Sequence, residues 1–331
     1  MKRVFIDFCI VVLVAISSSC NIDEEIVKEL DKGDFYRAKT TTSKPDWNKV
    51  YEYTPAPGQF INELKTGGFD STQTTPEAAI AYAERRMGEV DKNGNPYPNW
   101  VSLGGFGGYI VVGFDHSIDN SGSYDFAVLG NSFKGSSEPG IVWVMQDENG
   151  NREPDDTWYE LAGSETGKPE TIQNYAVTYY RPSEPMQPVK WTDNQGNSGE
   201  IDYLLQFHRQ EYYYPLWIEA DSYTLTGTCL AARNYDASGN GSYWVNTEYD
   251  WGYADNFSPI DRLTDEDNAS AGANANHFRI SDAIDANGKH KDLEYIDFVK
   301  VQVGVNAKSG WLGEVSTEVF GFHDYNIKKE L

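Results

Sequence analysis

"EYIDFVKVQVG", residues 294–304, decides the fold. Ile296, Phe298, Val299, Val301 and Val303 are apolar, with polar residues between them. Successive side chains of a strand point to opposite faces, so this pattern predicts a strand with one buried face. Working outward, "YIVVGF" (109–114), "YDFAVLG" (124–130), "GIVWVMQ" (140–146), "TWYELAG" (157–163), "NYAVTYY" (174–180), "SYTLTGT" (222–228) and "SYWVNTEY" (242–249) are similar β-branched and aromatic runs. Gly, Asn, Asp and Pro punctuate them, as turns require. One stretch differs. In "TTPEAAIAYAERRMGE" (74–89) Thr75 suits an N-cap and Pro76 the first turn. Ala79, Ile80 and Ala83 fall on one helical face, and Glu77 and Glu84 suit a solvated one. The expectation is an all-β, jelly-roll-like β-sandwich with long loops and one short helix near 76–88. No fixed-period repeat supports a propeller. No proline-rich linker divides residues 46–331, which favours one large sandwich, with two packed sandwiches second.

Charge narrows the partners. The 331 residues carry 51 acidic and 27 basic side chains, a formal net charge of −24. Such a surface repels phosphate backbones and anionic membrane faces, which argues against nucleic-acid binding and electrostatic membrane binding. It is compatible with hard cations such as Ca²⁺. With 22 Tyr, 15 Phe and 9 Trp, the chain has enough aromatic surface to build a core and is no disordered acidic tail.

The first residues read as an export signal. Lys2 and Arg3 precede an apolar run over residues 8–16, about 14 Å as a helix, too short to span a bilayer. Ser17, Ser18 and Ser19 lead into Cys20, a layout similar to a bacterial lipoprotein signal in which residues 1–19 are removed and Cys20 is acylated. Asp7 and the serine three positions before the cysteine depart from the commonest pattern. Asp23, Glu24 and Glu25 resemble the export tag of surface lipoproteins in Bacteroidetes-type bacteria. Residues 20–45, charged and rich in Thr and Ser, are expected to be a flexible tether. Cys9 leaves with the signal and Cys20 takes lipid, so Cys229 has no disulfide partner and reads as a buried small hydrophobe.

The stretch with the clearest chemistry is "DENGNREPDDTW" (147–158). A calcium loop presents oxygens at alternate positions. Counted from Asp147, Asn149, Asn151, the Glu153 carbonyl and Asp155 fall at the third, fifth, seventh and ninth, and Asp156 can stand in for the missing bidentate carboxylate. The flanks are strand-like, so this is no EF-hand. The expectation is a Ca²⁺-holding loop, and the plainer alternative is an Asn-Gly hairpin whose side chains cap backbone groups. Asp91, Asn93 and Asn95, like Asp282, Asp285 and Asn287, read as turns. Gly104, Gly105, Gly107 and Gly108 precede a strand instead of opening a helix, so they mark a tight turn and not a dinucleotide site. His116, His208, His277, His290 and His323 form no recognised metal pair, and no GxSxG elbow occurs. A two-carboxylate glycosidase stays open, because such pairs are set in space. Two polar loops gather aromatics: Tyr212, Tyr213, Tyr214 and Trp217, and Tyr249, Trp251 and Tyr253. Rings with polar tips suit sugar faces or a flat macrocycle; core packing is the alternative.

"GGYIVVGFDHSIDNSGSYDFAVLGNSFKGSSEPGIVWVMQDENGNREPDDTWYELAGSE", "KWTDNQGNSGEI", "YDWGYADN", "IDFVKVQVGVN" and "GWLGEVSTEV" resemble a family of Bacteroidetes cell-surface lipoproteins. The likeness covers most of residues 48–322. It implies a jelly-roll, galactose-binding-like sandwich on the outside of the outer membrane, near cobalamin or glycan uptake systems. It carries over no catalytic residues. The expected function is non-catalytic capture of a glycan or corrinoid for a TonB-dependent outer-membrane transporter, with Ca²⁺ bracing a loop. A surface glycoside hydrolase or lyase is one alternative; an adhesin or structural surface protein is another.

Overall fold

The computed structural model describes residues 32–263 and 274–330. Strands β1 (Lys49–Thr54), β3 (Tyr109–Asp119), β5 (Gly140–Met145), β6 (Trp158–Leu161), β14 (Ala283–Ile284) and β15 (Tyr295–Val303) form an antiparallel sheet in the order β1-β3-β15-β5-β6-β14. A second sheet, β13 (Asn274–Phe278), β4 (Phe126–Gly130) and β17 (Gly321–Asp324), packs against it. Val112, Val144, Val299 and Val301 of the first sheet meet Phe126, Val128, Phe278 and Phe322 of the second in one core. The molecule is an all-β sandwich with one short helix, as its sequence predicts.

That helix, α1 (Pro76–Met87), begins where expected: the Thr75 hydroxyl accepts from the Ala78 amide. Ala79, Tyr82, Ala83 and Met87 are buried in the main core. Glu84 does not face solvent as expected; its carboxylate accepts from the Val50 amide at 3.0 Å, tying the helix to β1. A further sheet, β10 (Ser222–Cys229), β7 (Ile172–Tyr180), β8 (Val189–Asp193) and β9 (Ser198–Ile201), has its own core around Tyr179, Tyr213 and Leu225. Cys229 lies in that core with its thiol pushed up to about 11 by burial, which suits an inert packing residue. The glycine turn forms as predicted: Gly104 has φ 71°, and a Cβ there would stand 2.0 Å from the Ala56 carbonyl oxygen.

The opening stretch departs from its prediction in one respect. β15 is central and covered on both faces, so Asp297 and Gln302, polar by pattern, are buried. Gln302 donates to the Gly107 and Thr226 carbonyls at 3.0 and 3.1 Å, which joins β15 to β10. Asp297 accepts from Ser117 at 2.6 Å and pairs with Arg37 at 3.0 Å. Lys300 lies among Trp143 (4.8 Å) and Trp158 (4.7 Å), its amine pushed down to about 8 by burial.

Arg37 belongs to the expected tether, and here the expectation is corrected for residues 32–45. Arg37 and Ser117 exchange hydrogen bonds through backbone and side chain, Lys32 pairs with Asp119 at 2.9 Å, and the Pro45 carbonyl accepts from Asp324. A few ionic and backbone anchors hold this polar segment without an apolar run. Cys20, the signal over residues 1–19 and the rest of the tether lie outside the described residues. Among the described residues no helix is long and apolar enough to cross a membrane.

Candidate functional site, an acidic cavity

Three segments far apart in sequence meet at one end of the sandwich. Residues 138–140 pair with 254–255: Gly140 and Ala254 exchange backbone hydrogen bonds at 2.9 Å, and the Glu138 amide donates to the Asp255 carbonyl at 2.9 Å. Asp255 sits at φ 51°, a left-handed conformation that Asp tolerates better than most residues. This turns its carboxylate inward, where it accepts from the Asn131 amide at 2.8 Å and the Glu318 amide at 3.0 Å. Glu318 begins β16 (Glu318–Val319), which pairs with β2 (Val101–Ser102). Glu138, Asp255 and Glu318 each offer a carboxylate oxygen, and these lie within 4.8 Å of one another.

Glu138 and Glu318 line a cavity of about 310 Å³ together with Glu314. One Glu314 oxygen accepts from the Gln59 amide at 2.7 Å; the other is buried without a hydrogen-bond partner. Burial pushes the Glu314 carboxyl up to about 8. Burial raises Asp255; burial and then the charge of Asp255 raise Glu138; Glu318 stands well above the ordinary range through burial and the Glu138 and Asp255 charges. Among the described residues no lysine, arginine or histidine forms an ion pair with any of the four.

Aromatic walls complete the cavity. Phe60 packs edge-on against Trp100 (4.9 Å) and His208 (4.7 Å). Phe207 and Trp311 lie 5.7 Å apart and are 50% and 47% exposed, so they stand at the open side. The His208 Nδ1 is buried without a partner.

These are not the aromatics that the sequence singles out. Tyr213, Tyr214, Trp217, Tyr249 and Tyr253 are buried, which corrects their reading as ligand contacts. Their polar tips serve the backbone instead. Tyr213 donates to the His208 carbonyl at 2.9 Å and accepts from the Leu204 amide at 3.1 Å, bracing the loop that carries Phe207. Tyr214 donates to Ala220 and Tyr249 to Ala231, and Tyr253 accepts from the Glu165 amide. Trp217 stacks with Tyr53 and Phe69. Tyr212 and Trp251 are half-buried; Trp251 lines a separate hollow of about 220 Å³ with Tyr124 and Arg279. Burial of a ring with a tethered hydroxyl is what the apolar body and polar tip of tyrosine favour inside a sandwich.

The Asp147 loop lies elsewhere. Asp147 is buried, and its two oxygens accept from the Gly150 and Arg152 amides at 2.7 and 3.1 Å. Its own amide donates to Asp297 at 2.8 Å. Asn149 and Asn151 accept from the Asn151 and Glu153 amides, while their amide nitrogens donate to Asp155. The Asn149 amide nitrogen also reaches Asp156 at 3.3 Å, so it stands where a cation between these carboxylates would stand. The side-chain oxygens of Asp147, Asn149 and Asn151 accept from backbone amides of their own loop, and the Glu153 carbonyl accepts from the Asp155 amide. Asp91 and Asp285 cap their own turns, as expected.

The acidic site had a faint sequence signal. Glu138 lies in "EPGIVWV", Asp255 in "YDWGYADN", and Glu314, Glu318 and Trp311 in "GWLGEVSTEV", three segments that carry the family resemblance. Nothing in their spacing says that they meet. The chain matches no protein-family model and no curated protein.

Proposed function

We propose that this protein captures a polyhydroxylated ligand, a short glycan, in the acidic cavity without transforming it. The observation behind this reading is the pairing of exposed Phe207 and Trp311 with Glu138, Glu314 and Glu318 around one cavity of about 310 Å³. Ring faces cover the C–H face of a sugar, and carboxyl groups bond its hydroxyls. That volume is at the low end for small-molecule sites, which favours one or two sugar rings over a corrinoid macrocycle. The resemblance and the N-terminal signal support a lipid-anchored position on the cell exterior, acylated at Cys20, handing ligand to a TonB-dependent transporter. Ca²⁺ at Asp147, Asn149, Asn151, Glu153, Asp155 and Asp156 would brace a loop distant from the cavity.

Calorimetric titration with a panel of mono- and oligosaccharides and with cobalamin tests the reading. A saccharide binds, and Trp311→Ala weakens it about tenfold, the scale of one lost aromatic contact. Binding of cobalamin alone, or of nothing in the panel, overturns it. A carbohydrate-active enzyme is the second reading. It is favoured by Glu314, whose carboxyl at about 8 is held protonated near neutrality, the state a general acid needs. Release of reducing ends from a polysaccharide, lost in Glu314→Gln, would replace capture with hydrolysis.

A further inference from the structure

We propose that Glu138, Asp255 and Glu318 form a binding site for a hard divalent cation of the Ca²⁺ class, distinct from the Asp147 loop. The inference shares the cavity with the proposed function but not its ligand, since the cation would bind with no saccharide present.

Three observations carry it. First, the geometry: one oxygen from each of three carboxylates falls within 4.8 Å of the others, close enough to ligate one ion after small adjustment. Like charges at that spacing repel strongly in a buried setting and call for a cation or for protons. Second, the orphan: Glu314 is 5% exposed and lines the same cavity, and one of its oxygens is buried with no partner. A buried polar atom without a partner costs roughly 1–3 kcal/mol unless a water or an ion supplies one. Third, the charge balance: among the described residues no lysine, arginine or histidine forms a salt bridge with Glu138, Asp255 or Glu318. The three ligands are all oxygens, which suits Ca²⁺, Mg²⁺ or Mn²⁺ and not the softer metals. The Asp255 and Glu138 backbones are locked to each other, and Asp255 is held by two amides, so the site is largely preformed. Three carboxylates leave room for cavity-side ligands, which Ca²⁺ accepts readily with its six to eight positions.

The test is calorimetric titration of Ca²⁺ into the EDTA-treated protein at pH 7.5. Three proteins are compared: wild type, Glu318→Gln, and a loop variant carrying Asp155→Asn and Asp156→Asn. Glutamine is isosteric with the protonated glutamate, so Glu318→Gln keeps the packing; Glu138→Gln serves as the second cluster variant. We expect a Ca²⁺-binding event that survives in the loop variant and weakens at least tenfold in Glu318→Gln and in Glu138→Gln. Thermal unfolding gives a parallel readout: Ca²⁺ raises the Tm of wild type and loop variant, and raises that of Glu318→Gln by clearly less than that of wild type. Wild type that binds no Ca²⁺, or a loop variant that loses all Ca²⁺ binding, overturns the inference. The second outcome needs no cluster variant to fold. Because no saccharide is added, failure here leaves the glycan titration standing, and the reverse also holds.

Discussion

The Asp147 loop and the Glu138 cluster are both acidic, yet they manage charge in opposite ways. The loop lies in one short segment, and its Asp and Asn oxygens take neighbouring amides within a few residues. The cluster collects its carboxylates from three segments, with Asp255 and Glu318 buried and Glu138 half-buried, and among the described residues no basic side chain forms a salt bridge with them. In the loop, negative charge is dispersed over backbone N–H groups and Asn side-chain amides. In the cluster it accumulates, and the protein must bind protons or a cation to tolerate it. A locally satisfied carboxylate is a turn-former, whereas a carboxylate gathered by tertiary structure is a site.

The sharpest way to break this comparison is to remove the two inner anchors. Asp255→Ala strips the acceptor from the buried Asn131 and Glu318 amides and should cost about 2–5 kcal/mol, measured by denaturant unfolding. A loss below about 1 kcal/mol would mean that relief of repulsion offsets the lost bonds. Asp147→Ala removes the acceptor for Gly150 and Arg152, which water can reach more easily, and should cost about 1–2 kcal/mol.

The next test varies pH in EDTA. The folded Glu314 carboxyl at about 8 lies above its ordinary 4.5, so the folded state binds more protons between those values. Its contribution is complete below about pH 4.5 and is lost as pH rises through 8. His323 runs the other way. Burial first, then Lys328 and His277, push its folded value to about 3 from 6.5, so the unfolded state binds more protons in that window. Its contribution is complete above pH 6.5 and is lost as pH falls towards 3. The Tm should therefore peak between about pH 5 and 6.5 and decline on both sides. Asp255, Glu138 and Glu318, raised in the same sense, add to the alkaline decline, so Glu314→Gln should make it shallower and leave the acid one; a curve unchanged by that substitution would contradict the buried-proton account.

The smallest effect expected is that of Asp155→Ala in the exposed part of the loop. Without cation its stability should stay within about 0.5 kcal/mol of wild type by thermal unfolding. With millimolar Ca²⁺ present, a Tm gain that is smaller in Asp155→Ala than in wild type would show that this loop too takes up the ion, and a gain that vanishes altogether would count against the cluster.

Local patterns were readable because the forces that produce them are local. Period-2 alternation marks strands, Thr75-Pro76 marks a helix start, and Asp–x–Asn runs mark turns that cap themselves. The aromatic loops misled because composition cannot say which way a ring points: Tyr213 and Tyr249 are in the core, while the exposed pair is Phe207 and Trp311. Residues 32–45 misled for a related reason. Arg37 and Lys32 read as solvated tether charges until Asp297 and Asp119 are placed beside them.

From its chain alone this protein declared an all-β sandwich and the position of its helix, because each depends on residues a few positions apart. Only the tertiary structure decided that Asp297 and Gln302 of the defining strand are buried, and that Glu138, Asp255, Glu314 and Glu318 share one end of the molecule. The repulsion and burial that make those carboxylates notable arise from distances that the order of residues does not contain.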